Sequence, residues 1–265
     1  DDYIAFEKNA VPVDLSGMKI VIDCAEGASH YTSVKTLQDL GAELVAIHTE
    51  PDGTNINANC GSTHMQELMA RVVSEKANCG IAFDGDADRM LAVDENGKLV
   101  DGDQIMAICA KFLKEQGKLK KDTVVVTVMS NLGLYKACDK VGLKYEKTAV
   151  GDKYVYENML QNGYVLGGEQ SGHIIFSKHA TTGDGILTAL MLMEVILEKK
   201  QSLGTLCKEM KMYPQLLQNV KVTDKKDMLK NHRDLQVFVK KMDATRPTTM
   251  ACYAVCGPFN KVTKI

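Results

Sequence analysis

The sequence predicts two tandem α/β domains with mostly parallel sheets, followed by a short C-terminal remnant. Three observations carry this. Short β-branched apolar runs alternate with segments of helical periodicity, the pattern of strand–helix–strand units. The pattern runs once from residue 18 and restarts near residue 104. In each round the third strand empties into a polar, glycine-containing loop, where open α/β sheets place their ligand sites.

Met18 to Asp23 reads as a buried strand and Tyr31 to Leu40 as a helix, with Gly41 placed to end it. Leu44 to His48 is a second strand, and the Pro-, Asp-, Gly- and Asn-rich stretch from Glu50 to Gly61 a loop. Met65 to Lys76 is a helix with Met65, Leu68, Met69, Val72 and Val73 on its apolar face. Cys79 to Phe83 is a third strand, and Met90 to Val100 a hairpin turning at Glu95, Asn96 and Gly97. The second round gives helices at Gln104–Leu113, Leu132–Val141, Asp152–Leu160, Ile186–Lys199 and Leu203–Met210. Its strands are Thr123–Val128, Leu143–Lys147 and Tyr164–Leu166. Beyond Pro214 the spacing suggests a strand at Leu216–Val222 and a polar helix at Asp227–Lys241, and from Asp243 onward no period emerges. The expected boundaries are residues 1–100, 101–214 and 215–265.

Length and composition narrow the function classes. The chain has 265 residues, 45% hydrophobic and 25% charged, with a formal net charge of −2 from 34 acidic and 32 basic residues. No basic excess points to nucleic acid and no charge block to a membrane surface. The most apolar stretch, Ile186 to Leu197, is interrupted by Glu194. None of the eight cysteines lies in a Cys-x-x-Cys pair, so reduced, buried thiols and a cytoplasmic location are expected. Cys60 shows no activating base beside it in sequence and is not expected to act as a nucleophile.

The sharpest local signal is Asp84, Gly85, Asp86, Ala87, Asp88 and Arg89. Three carboxylates at alternate positions converge if the chain turns tightly, and converging carboxylates need a cation. Glu95 falls where a Ca²⁺ loop of the helix–loop–helix type would end. However, Arg89 stands where that loop requires glycine, and strands flank the segment. An acidic surface turn is the plain alternative. A second cluster runs Gly168, Glu169, Gln170, Ser171, Gly172, His173. Glu169 and Ser171 alternate and can face one ligand, and His173 titrates near neutrality and can move a proton; a hairpin turn with an ordinary histidine is the alternative. Asp152 and Asp184 precede helices and can act as N-caps. Lys153 is either a phosphate contact or a solvated lysine.

Taken in order, these segments resemble the α-D-phosphohexomutase superfamily. The resemblance also rests on Pro51 to Asn57, Cys60 to His64, Val128 to Gly133, Val150 to Lys153 and Thr181 to Gly185. It spans roughly Lys19 to Val222, and Gln170 places it in the amino-sugar branch. The resemblance implies four domains around a cleft, with a phosphoserine in the first, Mg²⁺ in the second, the sugar loop in the third and a phosphate-binding loop in the fourth. It implies Asp84, Asp86 and Asp88 as Mg²⁺ ligands and Arg89, His173 and Lys153 at the reacting end. Glu169, Ser171, His173 and Asp184 would bind a hexosamine phosphate. The implied reaction interconverts glucosamine 6-phosphate and glucosamine 1-phosphate through a 1,6-bisphosphate, a step toward cell-wall precursors.

Departures from the pattern temper this. Lys153 stands where arginine is expected, and Ala87 where glycine is commoner. No serine loop of the Ser-His-Asn type and no Arg-x-Ser-Gly-Thr-Glu-Pro loop occurs in the 265 residues. The chain is therefore expected to be truncated, to hold domains two and three with at most a remnant of the fourth, and to be inactive alone. The competing expectations are a phosphomannomutase/phosphoglucomutase, or a non-catalytic module that binds Mg²⁺ or sugar phosphate.

Overall fold

The structure is a computed structural model and describes residues 2–215, 218–221, 253–256 and 261–264. The first unit contains β1 (Lys19–Asp23), α2 (Ser29–Asp39), β2 (Glu43–Ile47), α3 (Gln66–Ser74), β3 (Cys79–Phe83), β4 (Met90–Asp94) and β5 (Leu99–Val100). A preceding helix, α1 (Asp2–Ala10), escapes the sequence reading because its face is weakly apolar. The strands form one sheet in the order β2-β1-β3-β4-β5. β1 pairs parallel with β2 and β3, and the β3–β4 and β4–β5 pairs are antiparallel.

The second unit contains α4 (Gly102–Glu115), β6 (Thr123–Thr127), α5 (Leu132–Val141), β7 (Lys144–Thr148), α6 (Asp152–Asn162), β8 (Leu166–Gly168), β9 (Ile174–Phe176), α7 (Gly185–Lys199) and α8 (Leu203–Cys207). Its sheet order is β7-β6-β8-β9, parallel except for the β8–β9 hairpin. Both sheets are thus mixed with mostly parallel strands, the α/β class expected. β8 begins two residues later than its apolar pattern suggests and includes Gly167 and Gly168, because pairing with β9 extends it.

After Pro214 a three-stranded antiparallel sheet follows, β10 (Gln218–Lys221), β12 (Lys261–Lys264) and β11 (Tyr253–Cys256) in that order. β10 falls on the strand expected at Leu216–Val222. The helix expected at Asp227–Lys241 lies outside the described residues.

Side-chain alternation explains the layering. Along β1, Ile20 and Ile22 join the largest core cluster, whereas Val21 faces a second cluster under α3. Along β6, Val124 and Val126 join the same large cluster and Val125 faces a third, under α6. This is the period of two that a sheet covered on both faces requires. The shared cluster lies between the two sheets and is filled by α4 and α7. α7 is apolar almost all round, and every residue from Gly185 to Met193 is buried. A helix with that pattern is one enclosed on all sides. No helix among the described residues is long and apolar enough to cross a membrane.

Candidate active site

β3, buried at all five positions, runs beside β1 and returns antiparallel as β4, with Phe83 opposite Met90. The six residues between them must reverse the chain in a tight turn. Ala87 closes it, donating its N–H to the Asp84 carbonyl at 3.1 Å, and takes φ 62°. That left-handed conformation is one glycine adopts at no steric cost. A second loop clamps the turn from outside: Ala28 donates its N–H to the Gly85 carbonyl at 2.8 Å. A Cβ on Gly27 would lie 2.3 Å from the same oxygen, so only glycine fits at that contact.

The turn brings carboxylate oxygens of Asp84, Asp86 and Asp88 within 4.8 Å of one another. Asp84 is buried, Asp86 exposed and Asp88 half-buried. Burial, then the neighbouring Asp88 carboxylate, pushes Asp84 up to about 6, against the N–H that Arg89 donates to it at 3.2 Å. The Arg89 guanidinium lies 3.8 Å from Asp84 with nearly half its side chain exposed. An all-oxygen, crowded anionic set of this kind suits a hard divalent cation, and its mutual repulsion is what such a cation relieves.

The second loop is the β8–β9 hairpin. Glu169 donates its N–H to the His173 carbonyl at 3.0 Å, and Gly172 to the Glu169 carbonyl at 3.0 Å. The Glu169 carboxylate accepts the Gly151 N–H at 2.9 Å, drawing the start of α6 to the loop. Gln170 donates to Asp101 and to Gln215, each at 2.9 Å. Asp101 in turn caps α4 in a reciprocal capping box with Gln104.

The two loops meet directly. Arg89 and His173 form an isolated antiparallel bridge, and Met90 donates its N–H to the Gly172 carbonyl at 3.2 Å. His173 is 2% exposed; its Nε2 accepts the Gly183 N–H at 3.2 Å and lies 3.6 Å from an Asp88 oxygen. Asp184 caps α7, accepting N–H groups from Ile186 and Leu187 at 3.0 Å, and also accepts the Tyr3 hydroxyl. Asp84, Asp86, Asp88, Arg89, His173 and Asp184 are therefore brought together around one junction. Glu169 and Ser171 flank it, with Ser171 exposed. Lys153 stands apart on the first turn of α6, 74% exposed and paired with Glu157 at 3.8 Å. Tyr3 and Glu7, which brace this junction from α1, carry no sequence signal.

Comparison with known proteins decides the family. Residues 1–97 match the phosphoglucomutase/phosphomannomutase alpha/beta/alpha domain II, and residues 101–213 match domain III. The chain belongs to the phosphoglucomutase/phosphomannomutase family. Among relatives of this family, the phosphoglucosamine mutase of Clostridium acetobutylicum is 54% identical over 244 residues, 92% of this chain and 54% of the relative. That of Desulforamulus reducens is 57% identical over 225 residues, covering 85% and 51%. The chain spans about half the length of these relatives. Among solved structures, Aspergillus fumigatus N-acetylphosphoglucosamine mutase, in complex with GlcNAc-6P and magnesium, superposes with a TM-score of 0.79 at 20% identity. The match covers 98% of this chain and 60% of that one. A phosphoglucomutase/phosphomannomutase family protein from Burkholderia thailandensis gives 0.77 at 19%, covering 100% and 59%. At such identity these two establish the phosphohexomutase fold.

Proposed function

We propose that this chain carries the metal-binding and sugar-binding domains of a phosphoglucosamine mutase, divided near residue 100, with residues 215–265 belonging to a further domain. The reaction is the interconversion of glucosamine 6-phosphate and glucosamine 1-phosphate. The observation that carries the reading is the direct junction of the aspartate loop with the sugar loop through Arg89 and His173, in a chain 54–57% identical to phosphoglucosamine mutases.

Asp84, Asp86 and Asp88 would hold Mg²⁺, whose chemistry there is to neutralise phosphoryl charge. The crowded oxygen set and the raised Asp84 fit that ion. Arg89, with its exposed guanidinium beside the cluster, offers a fixed positive charge to the transferring phosphoryl group. Ser171 and Glu169 address sugar hydroxyls, and Lys153 reaches for the distal phosphate from the start of α6. His173 and Asp184 serve this site as positioning residues. The imidazole is buried with Nε2 occupied by Gly183, and the Asp184 carboxylate is consumed by its helix cap and Tyr3. The phosphoryl group would pass from a serine outside these 265 residues to the sugar monophosphate, and the bisphosphate would return its other phosphoryl to that serine.

The test is titration calorimetry of the chain with glucosamine 6-phosphate, glucose 6-phosphate and mannose 6-phosphate, each with and without Mg²⁺. Preference for the amino sugar, with Mg²⁺ binding lost in Asp84→Ala/Asp86→Ala, supports the proposal. Preference for either neutral sugar phosphate assigns the chain to the phosphomannomutase/phosphoglucomutase reading. Adding in trans the part of the C. acetobutylicum relative that this chain does not span then tests for turnover.

A further inference from the structure

A second cluster of ligating side chains lies at the carboxyl end of the first sheet, apart from the aspartate loop. Asp23 ends β1, His48 follows β2, and Cys60 ends the long loop after it. The parallel register that sets Asp23 beside Ile47 brings the first two together. Ligand atoms of Asp23, His48 and Cys60 all lie within 4.8 Å of one another. Cys60 has no such partner beside it in sequence; it is carried to Asp23 and His48 by the loop whose next residue, Gly61, donates its N–H to Asp23.

The arrangement of acceptors is what calls for an occupant. Asp23 is fully buried, and its two oxygens accept N–H groups from Ala25 and Gly61, each at 2.9 Å. Those bonds fix the orientation of the carboxylate. His48 Nδ1 sits 3.1 Å from Asp23 Oδ1, yet it is buried with no aligned hydrogen-bond partner among the described residues. The two atoms are close but not aligned for a hydrogen bond. On the opposite edge of the ring, Nε2 faces the Glu67 carboxylate at 3.4 Å. A histidine that carries its proton on Nε2, on the side of a carboxylate, presents Nδ1 as a lone pair, the outer-sphere arrangement that orients metal-bound histidines. Nδ1, the Asp23 oxygen and the Cys60 sulfur then converge as three donors of electron pairs in buried space. Backbone geometry holds His48 there at some strain, since it adopts φ 54°.

We propose that Asp23, His48 and Cys60 form a second metal site, for a borderline-soft divalent cation of the zinc class, with Glu67 as the outer-sphere partner of His48. Sulfur and imidazole select against Mg²⁺, so this site and the aspartate loop do not compete for one ion. Three protein ligands leave a fourth position for water. On binding, the Cys60 thiol gives up its proton to solvent as the sulfur–metal bond forms. The site would brace the loop beneath the aspartate turn: a Cβ on Gly61 would lie 2.6 Å from the Phe83 carbonyl, immediately before Asp84. The inference rests on these residues alone and is independent of the sugar specificity proposed above.

The experiment is titration of the reduced full chain with Co²⁺ and then Zn²⁺, in saturating Mg²⁺ to fill the aspartate loop. The expected result is one equivalent of Co²⁺ with a thiolate-to-cobalt charge-transfer band, displaced by Zn²⁺. The band should vanish in Cys60→Ser and in His48→Asn, the latter chosen because asparagine tolerates the left-handed backbone. It should persist in Cys207→Ser. Glu67→Gln should weaken Co²⁺ about ten- to a hundredfold while keeping the band. Circular dichroism of each variant establishes that it is folded. A wild-type chain without the band, or a band that survives in Cys60→Ser, overturns the proposal whatever the other variants do.

Discussion

Tyr3, on the first turn of α1, donates its hydroxyl to the Asp184 carboxylate at 3.0 and 2.9 Å, across 181 positions of chain. Asp184 is already the cap of α7, and the residues on either side of it touch one loop each. Gly185 donates its N–H to the Ala87 carbonyl at 2.9 Å, and Gly183 donates to His173. A helix with almost no sequence signature thus steadies the junction of both loops.

Removing that hydroxyl tests the link. Tyr3→Phe should cost about 1 kcal/mol of stability, the ordinary worth of a hydrogen bond at a part-exposed site. Thermal unfolding of the two chains measures it.

Glu7, one helical turn beyond Tyr3, is fully buried, and neither carboxyl oxygen has a hydrogen-bond partner among the described residues. Burial, then the charge of Asp184, pushes it from the ordinary 4.5 up to about 8. A carboxyl raised in the folded state binds its proton more tightly there than in the unfolded chain. Its contribution to stability is therefore full below pH 4.5 and is lost as pH rises through about 8. Glu7→Gln should raise the melting temperature at pH 8.5 or so and leave it nearly unchanged near pH 4. Equal shifts at both pH values would show that Glu7 is not the titrating group.

Ala87 occupies a left-handed position, at a cost of roughly 1–2 kcal/mol for a residue with a Cβ. Glycine avoids that cost but loses roughly 0.5–1 kcal/mol in chain entropy. Ala87→Gly should therefore stabilise the chain slightly, by about 0.5–1 kcal/mol. Chemical denaturation of the metal-free protein gives the sign.

Asp84→Asn should separate stability from function. It removes one charge from a crowded cluster while keeping an oxygen to accept the Arg89 N–H. Metal-free stability should rise by about 0.5–2 kcal/mol, as is common when a functional site is relaxed. Mg²⁺ binding by calorimetry should fall at least tenfold.

Much of this architecture is legible in the sequence, for physical reasons. The central parallel strands β1, β3 and β6 are buried on both faces and so appear as unbroken apolar runs, as in Val124–Val126. The aspartate loop is legible because its three carboxylates fall at alternate positions of one short segment. What escapes depends on distance along the chain. α1 is mostly exposed and offers only Ile4 and Glu7 to the interior, too little for a periodic signal. β9 has three residues and exists because β8 pairs with it. Asp23, His48 and Cys60 are unremarkable singly, and only the register of β1 with β2 reveals them as a group. Asp184 and His173 show the converse. Their motif is plain, but the sequence does not tell that one is spent on a helix cap and a tyrosine, and the other sealed from solvent.

α7 is wrapped by both sheets at once, so neither α/β unit has a complete interior without the other. A cut near residue 100 would strip the first sheet of its cover and leave a helix of leucine, methionine and isoleucine facing water. Although two sheets and two family matches suggest separable parts, the chain should melt in one cooperative step over the span of α1 to α8, and the halves should not survive as independently expressed pieces.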